Sequence, residues 1–254
     1  CHELNNLIQV ENRQGIISER EKWISYYANR DAVCQSIDRY RRGFIKPEIN
    51  NLVELIWGGD YIEKMKRLPN SGRNIGESWE CSGHPFHPSM VLCEGGDKMP
   101  LADLISLAPD DILGHQVSKE FKDKLPLLVK FIDARENLSL QVHPSDGKAS
   151  ELGEHDSGKI ELWVVLEADV NAILYLGFKR DVDPAQFRES LVRTDVNVVE
   201  KFMNAHPVKV GQVINNPAGT VHAIGKGLML AEVQQSSGIT YRLWDWNRLP
   251  ARTI

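Results

Sequence analysis

The sequence predicts a mainly β protein with helical additions, in which short strands form a small β-barrel or sandwich. Two observations support this prediction. Between residues 208 and 244, short apolar stretches follow one another closely and are separated by Gly, Pro and Asn turns, which is typical of such folds. In residues 138–144, polar and apolar side chains alternate, and a period of two indicates a strand with one polar and one apolar face.

Composition excludes several functional classes. The chain has 254 residues and a net charge of −5, and it carries no block of Lys and Arg, so we expect no nucleic-acid partner. No apolar run approaches the roughly 20 residues that span a bilayer, so we expect no membrane partner. The four cysteines lack CxxC spacing, which favours reduced thiols in a cytoplasmic protein. Because the chain opens at Cys1 rather than Met, we expect it to begin within a longer natural chain.

Residues 1–48 differ from the rest and are predicted to form an N-terminal helical extension to a domain at 49–254. Ser18 and Glu21 match the capping box S-x-x-E. Apolar and aromatic residues then recur at three- and four-residue steps, and Gly43 stands where a helix would end. This pattern predicts one amphipathic helix over Glu19–Arg42. We favour a helix that docks on its own domain; the alternative is an interaction arm or the tail of an upstream domain.

The elements after residue 48 follow from hydrophobic period and turn residues. Stretches rich in β-branched and aromatic residues predict strands at Ile49–Trp57, Ile75–Ser82, Leu125–Asp133, Leu138–Pro144, Ile160–Leu166, Asn171–Leu176, Val208–Val210, Gln212–Asn215, Val221–Ile224, Leu228–Gln235 and Ile239–Trp244. A helical period predicts helices at Tyr61–Arg67, Leu101–Leu107, Asp110–Phe121, Pro184–Val192 and Val196–Asn204. A hairpin is predicted around Glu167–Asp169, and a loop rich in Gly, Ser and charged residues at Ser145–Gly158.

Polar side chains on the predicted strands form one candidate site. The strand at 138–144 sends three of them to one face, namely Ser139, Gln141 and His143. Lys159 and Glu161 likewise share a face, at positions two residues apart. A later stretch of the form G-x5-P-x-G-x2-H ends at His222, which places this histidine after a tight turn at the start of a strand. The last strands add Glu232 and Arg242.

This set of residue types fits a metal centre. Two imidazoles, one carboxylate and one amide oxygen form a mixed N/O site for a borderline divalent cation. With one carboxylate the site keeps a net positive charge, so the metal can act as a Lewis acid on a carbonyl or hydroxyl oxygen. Taken singly, each residue has an ordinary structural interpretation, and their joint occurrence favours the site. A second possible cluster, Glu77 with Trp79 and His84, is better explained as a buried aromatic with polar neighbours.

The motifs resemble those of a known family. The His222 motif is similar to the second motif of the cupin superfamily. The stretch from about Leu52 to Arg248 resembles type I mannose-6-phosphate isomerases (phosphomannose isomerases) of the short bacterial and archaeal form. The segments that carry the resemblance are Trp57–Gly59, Gly76–Glu80, Pro126–Lys130, Leu138–Pro144, Gly158–Glu161, Pro217–His222 and Thr240–Arg242.

The resemblance implies a cupin-type β-barrel (jelly roll), one zinc ion per chain and a sugar phosphate substrate. The zinc ligands fall on Gln141, His143, Glu161 and His222. The active-site arginine falls on Arg242, and Lys159, Lys130, Ser139 and Glu232 lie in the pocket. The implied reaction interconverts mannose 6-phosphate and fructose 6-phosphate through a cis-enediol, with Lys159 or Glu232 as the base. The family continues into a further β-rich portion beyond the point where this chain stops at Ile254.

Two other functional classes remain open at this stage. One is a different metal-dependent cupin, such as a dioxygenase, although Lys159 and Arg242 beside the metal suit an anionic sugar phosphate better. The other is a non-catalytic sugar-binding cupin, which would tolerate loss of the ligands or of Arg242. The sequence leaves the oligomeric state open.

Overall fold

The computed structural model describes residues 51–92 and 98–248. These residues fall into two compact units, a larger one formed by residues 51–87 and 126–248 and a smaller one formed by residues 88–92 and 98–125. The predicted helix Glu19–Arg42, and with it the predicted extension at 1–48, lies outside the described residues.

Strands dominate the described chain, which confirms the mainly β prediction. In chain order the strands are β1 (Leu52–Gly59), β2 (Ile75–Cys81), β3 (Met90–Leu92), β4 (Lys98–Pro100), β5 (Leu127–Ala134), β6 (Leu140–Val142), β7 (Glu161–Ala168), β8 (Ile173–Phe178), β9 (Met203–Pro207), β10 (Val213–Asn216), β11 (His222–Ile224), β12 (Leu228–Gln235) and β13 (Tyr241–Trp244). The helices are α1 (Tyr61–Met65), α2 (Leu101–Leu107), α3 (Pro109–Leu113), α4 (His115–Phe121), α5 (Asp146–Glu151), α6 (Pro184–Val192) and α7 (Val198–Phe202).

The larger unit contains two antiparallel sheets. One has six strands in the order β1-β2-β5-β12-β7-β10, and the other has five in the order β13-β6-β11-β8-β9. Alternate residues of both sheets point into a shared apolar core, which includes Ile132, Trp163 and Leu230 from the first sheet and Leu174 and Ile224 from the second. This burial of one face of each sheet is the sandwich-type arrangement that the sequence predicts.

The helices of the larger unit pack on the outside of the sheets or connect strands. Helix α7 buries Val198, Val199 and Phe202 against Leu140 and Trp244 of the five-stranded sheet. Because Leu140 points to this outer core, the next residue along β6 points to the opposite, inner face. The alternation in β6 therefore fixes which of its side chains can reach a site between the sheets.

The smaller unit pairs β3 with β4 and continues into the three short helices α2, α3 and α4. Its buried residues include Val91, Met99, Leu104 and Ile105. The predicted single helix Asp110–Phe121 is wrong, because the chain breaks between α3 and α4 at a glycine with a φ of 78°. A backbone conformation of this kind interrupts a right-handed helix.

Four other predictions of secondary structure are wrong. Strands β7 and β8 do not form a hairpin, because β7 pairs with β10 and β12 while β8 lies in the other sheet. Residues 208–210 are not a strand. The predicted helix Val196–Asn204 is present as α7 but ends earlier than predicted, because strand β9 begins at Met203. The predicted loop Ser145–Gly158 contains α5, whose first turn is capped by the side chain of Ser145.

Among the described residues, no helix has the length and apolar character that crossing a membrane requires.

Candidate metal centre and active site

Three buried side chains converge between the two sheets of the larger unit. His143 follows the end of β6, Glu161 begins β7 and His222 begins β11. One ligand atom from each lies within 4.8 Å of the other two, and within the described residues this is the one group of three His, Cys, Asp or Glu side chains so arranged. The side chains are at most 1% exposed. The structure therefore brings together three of the four metal ligands that the sequence predicts.

The hydrogen bonds of the two histidines leave their inner nitrogens without a proton. His143 Nδ1 lies 2.8 Å from the carbonyl oxygen of Ile239, and His222 Nδ1 lies 2.9 Å from that of Thr220. Because a carbonyl oxygen only accepts, each Nδ1 carries the proton and each Nε2 presents a lone pair. These Nε2 atoms lie 3.2 and 3.4 Å from the two carboxylate oxygens of Glu161. Acceptors that face acceptors at this range repel one another unless a cation lies beside them, and here the ammonium of Lys159 lies 2.7 Å from Glu161 Oε1 and 3.4 Å from His143 Nε2.

The amide of Gln141 completes the group. Its Nε2 lies 3.3 Å from His222 Nε2, and its Oε1 accepts a 3.3 Å hydrogen bond from the hydroxyl of Ser139. The amide can turn over, because a hydroxyl both donates and accepts. In the turned state the carbonyl oxygen faces the ligand group while Ser139 accepts from the amide nitrogen. Ser139 and Gln141 thus share one face, as the alternation predicts.

The charge states of the ligands suit a divalent metal. Burial lowers the pKa of His222 to about 4, with Glu161 opposing this change, so the imidazole is neutral at pH 7. Burial alone would raise the pKa of Glu161, but the positive charge of Lys159 outweighs it and holds this pKa well below the usual range. A neutral imidazole and an ionised carboxylate are the protonation states that metal binding requires.

Lys159 lies against the ligands rather than at the surface. Its Nζ is 2.7 Å from Glu161 Oε1 and 3.4 Å from His143 Nε2, and the side chain is buried. Its backbone N–H donates to the carbonyl of Pro144 at 2.9 Å. This bond ties the start of β7 to the residues that follow His143.

Gly158 permits this close approach, and replacing it should disturb the site. A Cβ at Gly158 would lie 2.3 Å from the backbone nitrogen of Asp146 and 2.4 Å from the carbonyl carbon of Ser145. We therefore expect Gly158→Ala to lower the free energy of unfolding by about 1–3 kcal/mol and to weaken zinc binding. Denaturant unfolding and zinc titration check this.

Gly147→Ala is the matched control, because a Cβ there meets open space within α5. We expect it to be neutral or to stabilise by up to about 1 kcal/mol. An unchanged unfolding curve for Gly158→Ala would contradict the close approach.

A second polar group crosses the six-stranded sheet beside the ligands. Trp79, Lys130, Glu232 and Trp163 lie at paired positions on four neighbouring strands. Lys130 Nζ lies 3.2 Å from Glu232 Oε1 and 3.2 Å from Glu77 Oε1. Although burial opposes its charge, these two carboxylates raise the pKa of Lys130.

Glu232 has the environment of a carboxyl group whose pKa is raised. Its Oε2 accepts a 2.7 Å hydrogen bond from Trp163 Nε1, whereas its Oε1 is buried and has no hydrogen bond within the described residues. The contact of Oε1 with Lys130 has ion-pair distance only. Burial, and after it the charge of Glu161, raises the pKa of Glu232. Catalytic carboxyl groups are commonly tuned in this direction.

Arg242 reaches the site by strand pairing. It lies on β13 directly opposite Gln141 of β6, and paired residues of neighbouring strands project from the same face. Its side chain is exposed and forms no hydrogen bond or ion pair with another residue in the described ranges. Its guanidinium is therefore available to an anion.

Some residues of the site were not predicted. Asn216 donates a 2.8 Å hydrogen bond to Glu161 Oε2, and Ile239 orients His143 through its backbone carbonyl. Asn216 lies opposite Glu161 across the β10–β7 pair, so correct strand pairing would have identified it. The contact of His143 with the Ile239 carbonyl could not be predicted, because every residue has a backbone carbonyl and its position depends on the folded loop.

The residues considered as a second metal cluster have other roles. Glu77 accepts a 2.7 Å hydrogen bond from Trp79 Nε1 and pairs with Lys130, and His84 contacts Asp156. This geometry supports the interpretation as an aromatic with polar neighbours, although Trp79 is half-buried rather than buried.

Comparison with known proteins agrees with this geometry. Residues 48–161 match the family model of the phosphomannose isomerase type I catalytic domain. The chain is 36% identical over 193 residues to mannose-6-phosphate isomerase of Streptococcus mutans, an alignment that covers 76% of this chain and 58% of that protein. The chain thus spans about three fifths of the length of this relative.

Solved structures share the fold. The crystal structure of mannose 6-phosphate isomerase from Bacillus subtilis superimposes with a TM-score of 0.69 at 30% identity, over 82% of this chain and 62% of that chain. A zinc-bound mannose 6-phosphate isomerase has a TM-score of 0.57 at 18% identity, over 78% and 69% of the two chains, and that likeness concerns the fold alone. In sequence and in fold the chain is therefore similar to type I phosphomannose isomerases, whose catalytic-domain model matches residues 48–161.

Proposed function

We propose that the chain is a zinc-dependent isomerase that interconverts mannose 6-phosphate and fructose 6-phosphate through a cis-enediol. The observation that carries this proposal is the convergence of two imidazole lone pairs on the carboxylate of Glu161, beside a buried carboxyl group with a raised pKa. The first feature supplies a metal site and the second a proton-transfer group, which are the two requirements of the reaction. The family relatives that carry this activity in their names support the substrate.

One zinc ion per chain would be held by Gln141, His143, Glu161 and His222. This N/O donor set fits zinc, which accepts imidazole, carboxylate and amide ligands. When bound, the ion supplies Lewis-acid stabilisation of negative charge on the sugar oxygens. Lys159 fixes one oxygen of Glu161, and Asn216 fixes the other, so the carboxylate is oriented before the metal arrives.

The remaining chemistry is proton transfer. A base takes the proton from C2 of the open-chain aldose while the C1 oxygen gains a proton, which yields the enediol. Return of a proton to C1 and loss of one from the C2 hydroxyl then gives the ketose, so no other reactant is consumed. We assign the base to Glu232 rather than Lys159, because Lys159 is committed to its ion pair with Glu161 at 2.7 Å.

The anionic end of the substrate needs a cation. Arg242 is exposed on the strand opposite Gln141, and a guanidinium binds phosphate in a bidentate way. We assign it to the phosphate or to the developing oxyanion. Lys130 and Ser139 are proposed as further contacts to hydroxyl or phosphate oxygens of the substrate. Lys130 lies on the inner face of the six-stranded sheet, and Ser139 shares the inward-facing side of its segment with Gln141.

The test is a coupled assay that follows fructose 6-phosphate formed from mannose 6-phosphate, before and after chelation, with metal content measured in parallel. We expect activity that is lost on chelation and restored by zinc. Turnover that persists after the metal has gone would contradict the metal-dependent mechanism.

Inactivity of a folded, zinc-loaded protein would overturn the proposed activity for this chain and favour a binding role. An oxygen-uptake assay on the same sample separates the isomerase from an oxygen-dependent cupin, for which oxygen would be consumed.

A further inference from the structure

The orientation of His143 depends on a loop outside the ligand group. The loop between β12 and β13 spans residues 236–240, and its Ile239 carbonyl accepts the Nδ1 proton of His143 at 2.8 Å. Arg242 lies three residues after Ile239, as the second residue of β13. The position of this loop therefore affects both a ligand and the proposed anion-binding residue.

The loop is held by the segment that precedes Lys159. The backbone N–H of Gly238 donates to Asp156 Oδ2 at 2.7 Å. The hydroxyl of Ser237 donates to the carbonyl of Ser157 at 2.7 Å, and Ser157 Oγ donates back to the carbonyl of Ser236 at 3.3 Å. Ser237 is 1% exposed, so the bond that its hydroxyl donates is partly shielded from water and is costly to lose.

Asp156 is itself fixed by a buried histidine. His84 Nε2 lies 2.9 Å from Asp156 Oδ2, and the histidine is 5% exposed while Asp156 is 29% exposed. The backbone N–H of Phe86 donates to His84 Nδ1 at 3.3 Å, which leaves Nε2 to carry the proton and donate to the carboxylate. One carboxylate oxygen thus joins the imidazole of His84 to the backbone of Gly238.

Close packing supports the same arrangement. A Cβ at Gly238 would lie 3.2 Å from ring atoms of Phe86 and 3.4 Å from the ring of His84. The absence of a side chain therefore lets the loop rest on this aromatic pair, and the loop is located by packing as well as by hydrogen bonds.

We propose that Asp156, held by His84, is a positioning residue that places the Ile239 carbonyl and thereby sets the tautomer and direction of His143. The inference rests on the proposed metal site. Second partners of metal-ligating histidines fix the tautomer and ring orientation in this way. Here the second partner is a backbone carbonyl, so the loop that carries it needs an anchor, and Asp156 provides that anchor.

The experiment compares Asp156→Ala with Asp156→Asn in the full chain. Asn keeps an oxygen that can accept from both Gly238 and His84, whereas Ala keeps neither bond. We expect zinc affinity, measured by competition with a chromophoric chelator, to fall about tenfold in Asp156→Ala and to stay within about twofold of wild type in Asp156→Asn. Asp183→Ala removes an unrelated helix cap on Ala185 and should lower stability without changing zinc affinity.

A second readout does not depend on metal. In metal-free protein, ring-nitrogen NMR should show the Nδ1–H tautomer of His143 in wild type and in Asp156→Asn, and loss of its dominance in Asp156→Ala. The His143 signals are assigned by their absence from His143→Gln. Wild-type zinc affinity together with an unchanged tautomer in Asp156→Ala would overturn the proposal.

Two further outcomes are covered by the design. If Asp156→Ala does not fold, Ser237→Ala, which deletes the bond to Ser157 and one from Ile239 N–H, is measured in its place with the same expected and overturning results. If wild-type protein fails to bind zinc, the proposed metal site is wrong, while the tautomer comparison still decides the role of Asp156.

Discussion

Glu161→Gln is expected to abolish zinc binding and turnover and to destabilise the fold. The substitution keeps the volume but removes the charge that compensates Lys159, which is 7% exposed in the pair. Loss of one partner of a buried ion pair costs about 3–5 kcal/mol. Because Glu161 is proposed as a direct ligand, the loss of zinc affinity should exceed the roughly 10–100-fold effect of removing an outer partner.

The measurements are denaturant unfolding of metal-free protein, zinc titration and the coupled assay. Glu151→Gln is the matched control, because Glu151 pairs with Lys148 at the same 2.7 Å but with side chains 66% and 52% exposed. An exposed pair contributes at most about 1 kcal/mol. Wild-type stability and zinc affinity in Glu161→Gln would rule out both the ligand role and the buried ion pair.

Glu232→Gln is expected to lower turnover by about 10²–10⁴-fold while leaving zinc binding unchanged. Gln retains an oxygen to accept from Trp163 Nε1 but cannot take a proton from carbon. Glu232 contributes no ligand, so zinc affinity should stay close to that of wild type. This separation of chemistry from metal binding distinguishes a base from a residue that only shapes the site.

Deuterium incorporation at C1 and C2 of the sugar phosphates, measured in deuterated water, follows the proton transfer directly. We expect it to disappear with turnover in Glu232→Gln and to persist in the control Glu167→Gln, which changes an exposed glutamate on the neighbouring strand. Normal turnover and exchange in Glu232→Gln would exclude Glu232 as the base. Lys159 would then be the remaining candidate.

Local pattern was sufficient to predict which side chains converge at the candidate metal centre. The alternation of Ser139, Gln141 and His143 requires only that the stretch be extended, because side chains of a strand alternate whatever it pairs with. The tight turn before His222 likewise depends on neighbouring residues. For this reason the four predicted ligands converge in the structure even though several predicted elements are wrong.

Pairing between distant strands was not visible in the sequence. The segments 161–168 and 173–178 look like a hairpin, because each has strand composition and they are separated by a short turn. In the structure β7 pairs with β10 and β12, about 50 to 70 residues later in the chain, while β8 belongs to the opposite sheet. Local propensity is the same in either arrangement, so packing of the whole sandwich decides between them.

The sequence by itself determined the mainly β class, the residue types of the candidate metal centre and which side chains share a strand face, since these depend on residue identity and a two-residue period. Only the tertiary structure decided that Lys130 lies between Glu77 and Glu232, that Asn216 supports Glu161 and that the Ile239 carbonyl orients His143. Each of these contacts joins residues more than fifty positions apart. The physical reason is that such contacts arise from sheet order and loop placement, which are properties of the packed chain and not of any short segment.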